Sequence, residues 1–100
     1  MARIIKVQIE RGEVDIIEAS KREFIAILDA FVPCNLCGIE ESPFTKMYYI
    51  PVIDVIYCER CMELWKKSAV WYKVDKKMCD SRIEEYKRKF KDLGVWEIGV

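Results

Sequence analysis

The chain has 100 residues with 17 basic and 17 acidic side chains, a formal charge of zero, 52% apolar residues and 34% charged ones. That balance belongs to a folded domain and excludes a disordered tail, and no apolar stretch reaches the ~18 residues needed to span a bilayer. So short a chain buries a modest share of its surface and is expected to need a metal or disulfide staple. Met1-Ala2-Arg3-Ile4 lacks a signal-peptide core, which sets the expectation of a cytoplasmic protein.

The first element is an alternating run in which Ile5, Val7 and Ile9 face one way and Lys6, Gln8 and Glu10 the other, the period of a half-buried strand. Arg11-Gly12 supplies a turn, and Val14 to Glu18 read as the returning strand of a hairpin. Glu10, Glu13, Asp15 and Glu18 fall on its solvated side or turn. Ser20-Lys21-Arg22-Glu23 is a capping box, so a helix starts there; Phe24, Ile27, Leu28 and Phe31 line its inner face, and Val32-Pro33 ends it. From Met47 to Tyr57 the chain is apolar and β-branched. Pro51 divides it into two short strands, the second starting near Val52.

Glu59 to Val74 reads as a helix with a broad stripe of Leu64, Trp65, Ser68, Ala69, Trp71 and Tyr72. A second helix, capped by Asp80 or Ser81 with Glu84 following, presents Ile83, Tyr86, Phe90 and Leu93 and closes at Gly94. Val95-Trp96-Glu97-Ile98 completes the chain as a short strand.

The chemistry lies in the cysteines. Cys34-Asn35-Leu36-Cys37 and Cys58-Glu59-Arg60-Cys61, separated by twenty residues, match the spacing of a four-cysteine zinc site. Two intervening residues let both sulfurs of a tight turn reach one centre, and Gly38 permits the positive φ such a turn needs. Four thiolates close a tetrahedron around zinc and leave no open position, so the metal is structural. A rubredoxin-like iron site ranks below zinc, because Met62 rather than glycine follows Cys61, and a redox or disulfide role ranks with it. Cys79 reads as a buried, inert thiol. The chain has no histidine. That removes cysteine-histidine and serine-histidine catalysis, and with no phosphate loop the expectation is a protein that is not an enzyme and has no small-molecule substrate.

A knuckle, a hairpin and a helix whose first turn carries the second ligand pair is the treble-clef arrangement. The fold expectation is therefore α+β, one domain over residues 1–100. A β-hairpin and helix occupy 1–33, the treble-clef zinc module 34–74, and a C-terminal helix and short strand 75–100.

Residues 1–61 hold 7 basic and 10 acidic side chains and residues 62–100 hold 10 and 7, so the halves stand at −3 and +3. Lys66, Lys67, Trp71, Lys73, Lys76, Lys77, Lys87, Arg88 and Lys91 form the candidate partner-binding set. Interleaved with aromatics, these residues fit a nucleic-acid face, and equally two amphipathic helices with solvated lysines. Asn35 is the sole asparagine and Gln8 the sole glutamine, while Ile, Lys and Glu are abundant. That composition suits a hyperthermophile.

From Cys34 to about Ile98, the order of two Cys-x-x-Cys units, the helix opened by the second, and the Tyr-Lys-Arg-Lys-Phe-Lys-Asp-Leu segment resembles the Gin-type anti-sigma factors. The resemblance implies a small dimeric treble-clef zinc protein that blocks a transcription factor. The chain differs from that family in residues 1–33 and in its longer gap between knuckles. The functional expectation is a zinc-binding adaptor or regulator acting on a protein, in transcription or in a virus–host contest, with homodimerisation in view. The alternative is a nucleic-acid binder using the lysine-rich helices of residues 66–91.

Overall fold

The alternation of Ile5, Val7 and Ile9 becomes strand β1 (Arg3–Ile9), which turns at Glu10-Arg11 and returns as β2 (Gly12–Ser20). Arg11 makes the turn in a left-handed conformation, φ +73°. Gly12 matters for a different reason: a Cβ there would lie 2.7 Å from Cδ1 of Trp71, so only glycine lets that indole lie on the hairpin. The computed structural model describes residues 1–38 and 42–97.

Helix α1 (Lys21–Leu28) begins at the capping box. The Glu23 N–H donates to Ser20 Oγ at 3.2 Å, and the Ser20 N–H donates to Glu23 Oε1 at 2.9 Å. Asp29, left-handed at φ +50°, ends the helix before the proline can. Phe31 therefore falls beyond the helix and is 64% exposed, against the expectation that it would share the buried face of Phe24.

Two further strands, β3 (Lys46–Ile50) and β4 (Val55–Cys58), flank the turn at residues 51–54, so β4 starts at Val55 rather than near Val52. Pro51 sits outside both ladders, where its missing N–H costs nothing. The turn is tied down from two sides: the Tyr49 hydroxyl donates to Asp54 at 2.6 Å and the Arg82 guanidinium to the Pro51 carbonyl at 2.7 Å. All pairings are antiparallel and the sheet order is β1-β2-β3-β4, with Ile17 opposite Tyr49 and Met47 opposite Cys58.

Both faces of the sheet are covered. Helix α2 (Glu59–Ser68) lays Met62 and Trp65 over Val7, Ile9, Val14, Ile16, Tyr48 and Ile50. Helix α3 (Lys76–Leu93) and α1 cover the other face, where Phe24, Ile83, Tyr86 and Phe90 meet Ile17, Ala19, Met47 and Tyr49. Successive residues of a strand point to opposite faces, which is why Ile16 and Ile17 are both fully buried, in different layers.

The helix expected across Glu59–Val74 stops at Ser68 because Ala69–Trp71 is engaged in strand-like pairing with the edge of β1. The Glu10 N–H donates to the Ala69 carbonyl at 3.2 Å, and the Trp71 N–H donates to the Glu10 carbonyl at 2.7 Å. Leu64 and Tyr72, expected in the buried stripe, are 50% and 55% exposed. A 3-10 turn at Lys73–Asp75 leads into α3, which starts at Lys76; Asp80 and Ser81 lie inside the helix rather than capping it. Gly94, at φ +79°, closes α3. The chain then returns to β1, with the Ala2 N–H donating to Val95 and the Glu97 N–H to Ala2, both at 2.8 Å. Ile98, assigned to that last strand, lies outside the described residues.

Glu18 is a further correction. It is buried rather than solvated, and pairs with Arg3 at 3.0 Å and Lys46 at 3.5 Å. No helix among the described residues is long and apolar enough to cross a membrane.

Candidate metal centre

Cys34 follows Pro33 outside any helix or strand, and residues 35–37 turn so that the Gly38 N–H donates to the Cys34 carbonyl at 2.9 Å. Gly38 adopts φ +71°, as the knuckle requires. Asn35 fastens this turn to β4 with two bonds. Its N–H donates to the Ile56 carbonyl at 2.9 Å, and its Oδ1 accepts from the Ile56 N–H at 2.7 Å. The second pair comes from the junction of β4 and α2: Cys58 is the N-cap residue and Cys61 lies in the first helical turn. There the free N–H groups and the positive end of the helix favour negative sulfur.

The four Sγ atoms all lie within 4.8 Å of one another, and Cys37 Sγ stands 3.8 Å from Cys58 Sγ. A tetrahedron with zinc–sulfur arms of about 2.3 Å has edges of about 3.8 Å, so the thiols are spaced to hold one metal ion. All five cysteines are free thiols. Among the described residues the donor set consists of the four sulfurs of Cys34, Cys37, Cys58 and Cys61.

Electrostatics separate the thiols. Burial pushes the Cys34 thiol up, but N–H donors from Cys37, Cys58 and Leu36 outweigh it and hold the group at about 6. The Cys58 N–H reaches Cys34 Sγ at 3.3 Å. Cys58 and Cys61 are pushed up by burial, Cys61 further by the thiols around it. An anion at Cys34 is thus accommodated mainly by backbone N–H groups, whereas Cys58 and Cys61 need a cation among them to ionise. Cys79 is buried on α3, outside the four-thiol cluster.

The lysine-rich set does not converge in the same way. Lys66 pairs with Glu63 at 3.4 Å, Lys76 with Asp80 at 2.7 Å and Lys87 with Glu84 at 3.9 Å. Lys87, Arg88 and Lys91 share a shallow depression with Glu84, Glu85 and Asp92, a surface of mixed sign. Lys67, Lys73 and Lys77 are exposed on three successive elements. Trp71 is half-buried over Gly12.

Two features had no reading in the sequence. Asn35 is the clamp of the knuckle, and its place between two ligands was the available signal. An open groove of about 530 Å³ is lined by Met1, Ala26, Phe44, Leu93 and Val95 with Ser20, Arg22 and Glu23 at its polar parts. Its residues come from four separate stretches of chain and give no local pattern. Phe44 is 75% exposed there.

Comparison with family models, curated proteins and solved structures returned no match to this chain, and so no support for the Gin-type resemblance; the four-cysteine cluster stands on its own geometry.

Proposed function

We propose that this chain is a non-enzymatic adaptor or regulator whose one metal ion is zinc, held by Cys34, Cys37, Cys58 and Cys61 in a treble-clef centre, and whose action is to bind a protein. The observation that carries the zinc reading is the convergence of four thiols within 4.8 Å of one another, with no fifth donor among the described residues. The order of knuckle, β3–β4 hairpin and α2 supports the treble clef. Protein binding is supported by the apolar side chains left at the surface, Phe44, Leu93 and Met1 among them. Zinc in this setting supplies cohesion: it neutralises thiolates that burial otherwise opposes and ties the knuckle to the start of α2.

The test has two parts. Elemental analysis of the purified chain is expected to give one zinc per chain, and chelation to lower its melting temperature. A full complement of iron, or an unchanged melt after complete metal removal, overturns the zinc reading. A gel shift with mixed DNA and RNA at low salt is expected to show no complex. A shift that weakens steeply with salt replaces the protein-binding reading with a nucleic-acid one.

A further inference from the structure

The four thiols of the centre are not equivalent. Cys34, Cys58 and Cys61 are buried at 1%, 5% and 3% exposure, while Cys37 lies on the exposed lip of the knuckle beside Leu36, itself 59% exposed. The lip is open on its outer side: a Cβ built on Gly38 would meet nothing within 4 Å among the described residues. Its base is held, because Asn35 makes two hydrogen bonds with Ile56 and the Cys34 sulfur is buried under the Cys58 N–H. Cys37 Sγ stands 3.8 Å from Cys58 Sγ.

We infer that Cys37 is a peroxide-modification site, through which hydrogen peroxide opens the metal centre, and that Cys58 traps the product as a Cys37–Cys58 disulfide. The inference rests on the zinc reading given above, because the metal centre is what the oxidation opens.

The chemistry balances in two displacements. The Cys37 thiolate attacks one peroxide oxygen, the O–O bond breaks, hydroxide leaves, and the sulfur is oxidised by two electrons to a sulfenic acid as the peroxide is reduced. The Cys58 thiolate then attacks the Cys37 sulfur; the S–O bond breaks, a second hydroxide leaves, and the S–S bond forms. Both hydroxides are protonated by solvent. Reaching an S–S length of about 2.05 Å asks the exposed lip to close less than 2 Å, with the Asn35 base in place. Cys34 and Cys61 alone cannot retain the ion, so oxidation releases it.

The zinc-loaded protein is treated with limiting hydrogen peroxide while released zinc is followed with a chromogenic chelator and the modified cysteines are mapped by mass spectrometry. The first modification is expected at Cys37, the first crosslink between Cys37 and Cys58, and zinc release in step with it. Cys37→His keeps four ligands, and its release is expected to slow by about tenfold or more, because reactivity follows thiolate exposure. Cys79→Ser is expected to leave the rate unchanged. A zinc-loaded protein whose first modified residue is a buried cysteine, whose first disulfide joins Cys34 to Cys37, or whose Cys37→His variant releases zinc at the original rate overturns the inference alone. A folded protein without zinc overturns the metal reading with it. If Cys37→His does not hold zinc, the mapping on the unaltered chain still decides.

Discussion

The two regions on the same face of the sheet are held together by different means. Under α1 and α3, large rings lock against one another: Phe24 and Phe90 meet edge-on with centroids 5.5 Å apart, Tyr49 and Tyr86 stack at 3.8 Å, and Phe90 reaches Trp96 at 6.2 Å. At the corner where the knuckle meets β4 and α2, the buried groups are Val32, Ile56 and three small thiols. Rings of that size bring enough apolar area and dispersion to fix a unique packing. A corner filled by cysteines does not; there a metal held by the four thiols would supply the cohesion. On that reading a small domain is well packed in one place and metal-dependent a few residues away.

Breaking one region at a time sharpens that contrast. The largest effect is expected at the corner. Structural zinc sites bind with apparent free energies of about 10–16 kcal/mol in small peptides, so Cys58→Ser should lose the ion at micromolar zinc and melt the knuckle. Metal content and thermal melting check this; a normal zinc complement with an unchanged melt would remove the distinction between the regions. Next comes Phe90→Ala, expected to cost about 3–5 kcal/mol in chemical denaturation while the folded fraction keeps its zinc.

Glu18 offers a smaller, pH-dependent test on the opposite face. Burial alone pushes its carboxyl up, but the hydrogen bond from Arg3 and the charge of Lys46 outweigh it and hold the group below its ordinary value. A depressed folded value means that the contribution is complete above about pH 4.3, where the unfolded carboxyl is ionised, and is lost as pH falls through the folded value. Glu18→Gln should cost about 1–3 kcal/mol at neutral pH, with the gap to the parent chain closing on acidification below about pH 4. Protons would displace a thiolate-bound metal from both proteins alike in that range, so the difference between them reports Glu18. A gap that widens there contradicts the assigned pairing. The smallest effect is expected for Ser20→Ala, which removes one cap bond and should cost about 1 kcal/mol with metal content unchanged.

What could be read in advance was local chemistry. The capping box at Ser20, the break at Pro51 and each Cys-x-x-Cys pair depend on residues a few positions apart, and each is present in the structure; the twenty-residue gap between the pairs was read from a known zinc-site spacing. What could not be read depends on distant pairing. Nothing near Ser68 announces that α2 must end there; the reason lies at Glu10, whose backbone draws Ala69–Trp71 into an extended course. The start of α3 was misplaced because Asp80 and Ser81 carry capping chemistry, yet the helix that seats Cys79 and Ile83 against the core runs through them. Glu18 followed the solvated alternation of its hairpin until β3 supplied a neighbour, Tyr48, and a counter-charge, Lys46. Joining the two hairpins into one sheet is likewise a contact between β2 and β3, invisible to any short window.

The bridges at the two ends of β1 have one more consequence. An outer strand ordinarily offers a row of free amides and carbonyls on which a neighbouring molecule can build, the first step toward aggregation. Here later parts of the chain dock at Ala2 and at Glu10, one at each end of that row. Between them the strand carries Lys6, 68% exposed at its side chain, a charge that a foreign strand would have to accommodate. The contacts that tie residues 69–71 and 95–97 back to the start of the chain thus also shield this outer strand.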